Sequence, residues 1–337
     1  MRYNLILILL LSGAVLLSCN RAGQRTDENS GQVEGMSELE GLNAQIAKDS
    51  TDASLFEHRA IVYLSQKDHN RAMRDMLQAI QLDPDNAGYL LTLSDIYMSM
   101  GLLENCVESL DKSLNLDPGN VESMLKLSEI NLILRKHKEA LQYADMAIAE
   151  DKINPLPYFI KGFTYAEAGD TVSAIKNYLE AIDKNQSYYD AYIQLGLIYS
   201  TADNPLAIDY FNNALNIDPQ SIEALYALGL FYQQLGDAEN AITTYNRLLV
   251  VDPENVYGHY NLGYVNLVLL AEYEQALGHF DIASQLMPDY YEAIYNKAYC
   301  NELLGNYKTA RELYNQVLEI ETNYTKAIEG LNRIHGK

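Results

Sequence analysis

Tryptophan is absent from this 337-residue chain, cysteine occurs three times and proline eight times. So few cysteines cannot form the disulfide framework of a small secreted domain, and so little proline is not typical of a low-complexity chain. Cations are scarce as well, because 24 Lys and Arg against 46 Asp and Glu give a net charge of −22. Sequence-independent nucleic-acid binding and adhesion to anionic lipid both need cations, so neither is expected. The hydrophobic fraction, 48%, is typical of a globular protein.

Residues 1–18 have the composition of a secretory signal. Arg2 is their one charged residue, and the apolar run from Leu5 to Leu17 is about 13 residues long. A membrane-spanning helix needs about 20 residues, so this run is too short to be one. The stretch Leu16-Leu17-Ser18-Cys19 resembles the lipobox of bacterial lipoproteins. The resemblance implies cleavage before Cys19, acylation of that cysteine and a lipid anchor in the cell envelope. An ordinary secreted protein and an uncleaved N-terminal anchor are the alternatives.

The segment after the cysteine is polar and shows no apolar periodicity. This composition predicts that residues 19–36, the lipidated cysteine together with the polar residues after it, form a flexible tether. Asparagine at position 20 favours the outer membrane by resemblance to lipoprotein sorting, and leaves open whether the chain faces the periplasm or the surface. An apolar stripe then predicts an N-terminal capping helix over residues 37–52, at Leu39, Leu42 and Ile46.

The remainder of the chain is periodic. In the unit that covers residues 222–255, apolar residues and Gly229 share one face of a first predicted helix, and Ala241 and Tyr245 share one face of a second. Gly236 separates the two helices and Pro253 ends the unit. The alanine of the second helix, or a cysteine in its place, recurs every 33 to 35 residues, at Ala72, Cys106, Ala140, Ala174, Ala207, Ala241, Ala276 and Ala310.

This pattern resembles the tetratricopeptide repeat, whose period is 34 residues. The resemblance implies an all-α, right-handed superhelical solenoid of about eight helix-turn-helix units with short capping helices. The fifth unit is one residue short near Asp203, and the seventh has one extra residue near Ala271, so irregular turns are expected at both places. The eight units cover residues 53–324 and the C-terminal cap covers 325–337; the units are 53–86, 87–120, 121–154, 155–188, 189–221, 222–255, 256–290 and 291–324.

No motif for catalysis, for a cofactor or for a metal ion appears in the chain. There is no glycine-rich phosphate loop and no Gly-x-Ser-x-Gly stretch, and none of the six histidines has a second ligand at helical spacing. We therefore expect a non-enzymatic protein with no cofactor, no metal and no nucleic acid. A histidine–carboxylate site assembled from different repeats stays open.

The family resemblance implies that the first helices of successive units line a groove for peptide or protein partners. An equally weighted alternative is that the large residues at these positions pack against neighbouring helices. The face also lacks the Lys and Arg that clamp a C-terminal carboxylate in some relatives, so a neutral or basic extended segment is the expected ligand. The predicted groove residues are Phe159, Phe163, Tyr226, Tyr257, Tyr260, Asn261, Tyr264, Tyr295, Asn296 and Tyr299.

Two functions are compatible with these features. The first is a protein-interaction scaffold held at the envelope by the lipid on Cys19, which binds its partner through buried aromatic residues. The second is a glycan-binding surface lipoprotein, because tyrosine faces also stack on sugar rings.

Overall fold

The computed structural model describes residues 28–337, in which eighteen α-helices and one π-helix occur without a β-strand. The predicted all-helical repeat fold is confirmed. The signal segment 1–18 and Cys19 lie outside the described residues. The helices are α1 (Glu28–Lys48), α2 (Ala53–Ser65), α3 (His69–Leu82), α4 (Ala87–Ser99), α5 (Leu103–Leu116), α6 (Val121–Ile133), α7 (His137–Glu150), α8 (Leu156–Glu167), α9 (Thr171–Lys184), α10 (Tyr189–Thr201), α11 (Leu206–Ile217), α12 (Ile222–Gln234), α13 (Ala238–Val251), α14 (Val256–Tyr264), the π-helix Val265–Leu270, α15 (Tyr273–Leu286), α16 (Tyr291–Leu303), α17 (Tyr307–Ile320) and α18 (Thr325–Arg333).

The described residues divide into two compact units, one that ends at Lys184 and one that runs from Asn185 to Lys337. The first contains α1 to α9 and the second contains α10 to α18. Within each unit the helices from α2 onward pack as antiparallel pairs, and each pair packs on the next pair along the chain. α18 comes after the last pair and packs on α17. None of the helices among the described residues is long and apolar enough to cross a membrane.

The first helix begins earlier than its predicted start at residue 37. α1 runs from Glu28 to Lys48 and so includes part of the predicted tether. Two glycines, Gly31 and Gly35, each disfavour a helix by about 1 kcal/mol relative to alanine. Helix extension is cooperative, however, and no proline stands in the way, so a helix formed further along continues back across both glycines.

Each pair is held together by a small residue on its first helix and a large residue on its second. A Cβ atom at Gly229 of α12 would lie 2.5 Å from Cε1 of Tyr245 on α13, and one at Gly162 would lie 2.7 Å from the ring of Tyr178. Both rings are fully buried. Much of the tyrosine excess therefore fills the space inside the pairs, as close packing of helix on helix requires.

The turn inside each pair has one residue in the left-handed region. Gly236 adopts this conformation with φ 74°, and at the equivalent place in the seventh pair Ala271 has φ 57°. The extra residue of the seventh pair is absorbed just before that turn, where α14 continues as the π-helix. In the fifth pair, which has one residue fewer, the second helix is also short: α11 has 12 residues where α13 has 14.

Candidate partner-binding surface

Three of the predicted groove residues lie in the core. Phe159 is 7% exposed and Phe163 is 5% exposed. The ring of Phe159 lies 5.6 Å from that of Tyr178 within the fourth pair, and Phe163 packs with Leu132 of the preceding pair. The prediction that these two residues line an open groove is therefore wrong, because the adjacent helices cover both rings. Asn261 is buried too, and its side-chain Nδ2 has no hydrogen-bond partner.

The remaining tyrosines lie in the second unit and contact one another across successive pairs. Tyr257 is the most open of them, with half of its surface exposed. Its ring centroid lies 6.4 Å from that of Tyr226 on α12 and 6.1 Å from that of Tyr290, and both contacts are edge-to-face. Tyr260 lies 4.9 Å from Tyr290 on the same side. Four rings from α12, α14 and the segment before α16 thus contact one another, and edge-to-face contact is a favoured geometry for aromatic rings.

A second group of rings continues on α16. The Nδ2 atom of Asn296 donates a hydrogen bond to the Tyr260 hydroxyl at 3.2 Å and so connects the two groups. Next to it the rings of Tyr295 and Tyr299 are nearly parallel, with centroids 6.3 Å apart. Tyr264 and Tyr299 both pack, half-buried, against the cluster that contains Phe280. We call these side chains together the tyrosine surface: Tyr226, Tyr257, Tyr260, Tyr264, Tyr290, Tyr295 and Tyr299.

Tyr290 belongs to this surface although its place in the sequence did not indicate it. It precedes the first residue of α16 and so lies outside the helical positions from which the groove was predicted. Burial first, then the nearby Tyr260 and Glu292, raises the pKa of its hydroxyl well above the usual range. The phenol therefore stays neutral at physiological pH and can both donate and accept a hydrogen bond.

Two cations reach the end of this surface from α18, outside the groove positions to which the expectation of a face without Lys or Arg applies. The guanidinium of Arg333 on α18 lies 5.4 Å from the Tyr299 ring, and Lys326 Nζ lies 5.9 Å from the Tyr295 ring. Arg333 is already paired, with Nε 2.7 Å from Oε1 of Glu302. These cations were missed because α18 was predicted only as a cap.

Glu302 connects α18 to the last pair. Its Oε2 accepts hydrogen bonds from Arg333 at 2.9 Å and from the Tyr314 hydroxyl at 2.6 Å. Burial alone would raise the pKa of this carboxyl, but the bonds from Arg333 and Tyr314 outweigh that effect and lower the pKa. The carboxylate is thus charged at neutral pH and fixes one end of the tyrosine surface.

Metal clusters of three or more ligands and reactive cysteines are both lacking in the described part of the chain. No group of three or more His, Cys, Asp or Glu side chains in it lies close enough together to hold a metal ion. Cys106 and Cys300 are buried, and burial raises the pKa of their thiols to about 11 and about 12 respectively. Both therefore stay protonated and act as small apolar groups.

The stretches of the chain that match a known protein family lie in the helical repeats. Models of the tetratricopeptide repeat match five stretches that together span more than half of the chain: 53–86, 87–120, 210–243, 232–269 and 270–325. The matches at 53–86 and 87–120 begin at the first residues of α2 and α4. Sequence repeat and helical pair therefore agree there.

Two curated proteins are similar over part of their length. Anaphase-promoting complex subunit 3 from Schizosaccharomyces pombe is 25% identical over 156 residues, which are 46% of this chain and 23% of that protein. Photosystem I assembly protein Ycf3 from Acaryochloris marina is 32% identical over 89 residues, which are 25% of this chain and 54% of that protein. The chain thus spans only a quarter to a half of these relatives.

A solved structure shares the fold over a longer stretch. The C-terminal part of a repeat-containing protein from Cytophaga hutchinsonii superposes with a TM-score of 0.63 at 17% identity, over 71% of this chain and 98% of that one. At such low identity the likeness concerns the fold alone. Since the family models match the helical pairs themselves, we conclude that the chain is a tetratricopeptide-repeat protein.

Proposed function

We propose that this protein is a non-enzymatic interaction scaffold, held at the bacterial envelope by lipid on Cys19, whose tyrosine surface binds a segment of a partner protein. The observation that carries the proposal is the half-exposed ring of Tyr257, which lies between Tyr226 and Tyr290. Rigid aromatic side chains that are partly buried by their neighbours supply contact area at low entropic cost, which is what protein-binding surfaces use.

The ring geometry favours a protein partner over a glycan. Stacking on a sugar needs the open face of an aromatic ring, whereas Tyr257 meets Tyr226 and Tyr290 at interplanar angles of 67° and 69°. In each edge-to-face contact the edge of one ring covers part of the face of its neighbour, so these rings are partly taken up by one another. A tyrosine hydroxyl can both donate and accept a hydrogen bond, which suits a peptide backbone.

The surrounding charge favours a neutral or basic segment. Glu292 comes directly after Tyr290 and Tyr291 and contributes to the raised pKa of both hydroxyls. Arg333 is neutralised by Glu302 and adds no net positive charge, while Lys326 contributes one positive charge beside Tyr295. A partner that carries Lys or Arg would complement this part of the surface, and the chain's net charge of −22 would steer it during encounter.

The similar proteins support the same kind of role. By name, one is a subunit of the anaphase-promoting complex and the other is a photosystem I assembly protein. Each name thus connects that protein with a multi-protein complex. The repeat that it shares with this chain is a fold that binds through extended surfaces.

Tyr257→Ala is expected to weaken partner binding at least tenfold while the melting temperature changes little. A ring at the centre of a binding surface contributes about 2 kcal/mol or more to binding, and half of this ring is already in solvent. The partner is first identified by a photo-crosslinking amino acid placed at position 257 of the full-length chain in its native envelope. Affinity is then measured with the purified partner.

Val250→Ala is the matched control. This apolar side chain on α13 is 83% exposed and lies outside the tyrosine surface, so its loss should leave the affinity unchanged. Equal crosslinking from positions 250 and 257 would contradict the proposed surface. Loss of polysaccharide retention in Tyr257→Ala with protein binding intact would instead indicate the glycan-binding function.

Cys19→Ala is expected to abolish lipidation and to release the protein from the envelope. The other two cysteines, Cys106 and Cys300, are buried and cannot substitute for it. Incorporation of labelled palmitate, with envelope fractionation, measures both effects, and Cys106→Ala serves as the control that keeps the label. Incorporation of palmitate into the Cys19→Ala protein would contradict the lipid anchor on Cys19. It would leave the proposed partner binding unaffected.

A further inference from the structure

Two histidines of the seventh pair come together across the space between their helices. His259 lies on α14 and His279 on α15. Their Nδ1 atoms are 3.4 Å apart, and the ring centroids are 5.7 Å apart. His259 is buried and His279 is partly exposed. The two histidines are twenty residues apart in sequence, so they are not a ligand pair at helical spacing.

The contact to Pro253 determines which nitrogen of His259 carries the proton. Its Nε2 lies 3.1 Å from the Pro253 carbonyl oxygen, which can only accept a hydrogen bond. Nε2 of His259 therefore carries the hydrogen, and Nδ1 of the neutral ring presents a lone pair. In metal sites a histidine ligand is oriented in the same way, with its second ring nitrogen donating to a carbonyl.

The separation of the two Nδ1 atoms matches that of two ligands on one metal ion. Nitrogen atoms bound to a tetrahedral zinc ion at about 2.0–2.1 Å lie roughly 3.3 Å from each other. We propose that His259 and His279 form a two-imidazole site for a divalent ion of the zinc, nickel and copper class. In the metal-free protein Nδ1 of His259 accepts a hydrogen bond, so Nδ1 of His279 carries the proton between them. When the ion binds, Nδ1 of His279 loses this proton to solvent and Nε2 of the same ring takes one up. Both Nδ1 lone pairs then face the metal.

The ligand type selects the class of metal. Imidazole suits zinc, nickel and copper, whereas magnesium and calcium prefer oxygen. Since no third His, Cys, Asp or Glu side chain of the described residues joins the pair, water fills the other positions and the expected affinity is micromolar.

The test is zinc titration of the tag-free, full-length protein by calorimetry. We expect one equivalent of Zn²⁺ to bind with a micromolar Kd and to raise the melting temperature, and Mg²⁺ to do neither. His279→Asn should weaken zinc binding at least tenfold. This side chain is partly exposed, so the variant is expected to fold, and circular dichroism checks that it does.

His137→Asn is the matched control, because this histidine is also partly buried and its Nε2 atom has no hydrogen-bond partner. It should bind zinc like the unmodified chain. Zinc affinity that is the same in His279→Asn would overturn the site and place the ion on the acidic surface.

As a second measurement, electron paramagnetic resonance of the unmodified protein with one equivalent of Cu²⁺ should show coupling to imidazole nitrogen. Its absence would also overturn the proposal.

Discussion

Replacing Gly229 with alanine is expected to lower the free energy of unfolding by about 2 kcal/mol. In an open helix the same change stabilises by about 1 kcal/mol, because alanine has the higher helix propensity. At Gly229 the added Cβ would lie 2.5 Å from Cε1 and 2.8 Å from Cδ1 of Tyr245. That ring is fully buried between the helices and has no room to withdraw. The overpacking therefore outweighs the gain in propensity.

Gly278→Ala is the matched control for this prediction and should have the opposite sign. Gly278 lies inside α15, and no atom outside its own helix lies within 4 Å of an added Cβ. Alanine there should raise the free energy of unfolding by about 1 kcal/mol. Urea unfolding monitored by circular dichroism measures both variants, and the same sign in both would show that the close contact at Gly229 does not decide stability.

Tyr314→Phe is expected to lower the free energy of unfolding by about 2 kcal/mol, the usual contribution of a hydrogen bond to a charged group. The hydroxyl of Tyr314 donates to Oε2 of Glu302 at 2.6 Å, and that carboxylate is only 11% exposed. Without the hydroxyl, Glu302 keeps Arg333 but loses one of its donors. Since Arg333 belongs to α18, we expect this helix to loosen first.

Tyr178→Phe tests the same position in the fourth pair, where the opposite result is expected. The Tyr178 hydroxyl is buried and has no hydrogen-bond partner. Its removal leaves no acceptor unsatisfied and relieves the desolvation of a polar group, so stability should stay the same or rise by about 1 kcal/mol. Thermal and urea unfolding of the two Phe variants measure the difference. A comparable loss in both would mean that ring shape, not the hydroxyl, matters at these positions.

The helical pairs could be predicted from sequence because each depends on local residue types. Gly229 needs a large residue across from it, Tyr245 supplies that residue, and Gly236 allows the turn between the two helices. All three lie within one unit, and a small residue, a large residue and a left-handed turn residue recur in the others at nearly the same spacing. The seventh unit's extra residue near Ala271 was equally visible, although its accommodation in a π-helix was not.

The tyrosine surface was predicted only in part, because the exposure of a side chain depends on the neighbouring pair. Phe163 and Tyr264 occupy equivalent positions in their units, yet Phe163 is covered by Leu132 and Tyr264 stays half-buried. Tyr290 and Arg333 reach the surface from outside the helices that were expected to form it. Repeat spacing specifies which helix a residue occupies, but not which side chains from other segments lie on it.

The π-helix of the seventh pair has a consequence for how such a chain tolerates changes of length. One added residue in a continuous α-helix would rotate every later side chain by about 100° around the axis. Here the wider turn takes up the addition and the left-handed Ala271 ends it, so α15 begins in phase with the other second helices. The seventh hairpin thus accommodates its insertion within itself, and the helices after it keep the register in which they contact one another.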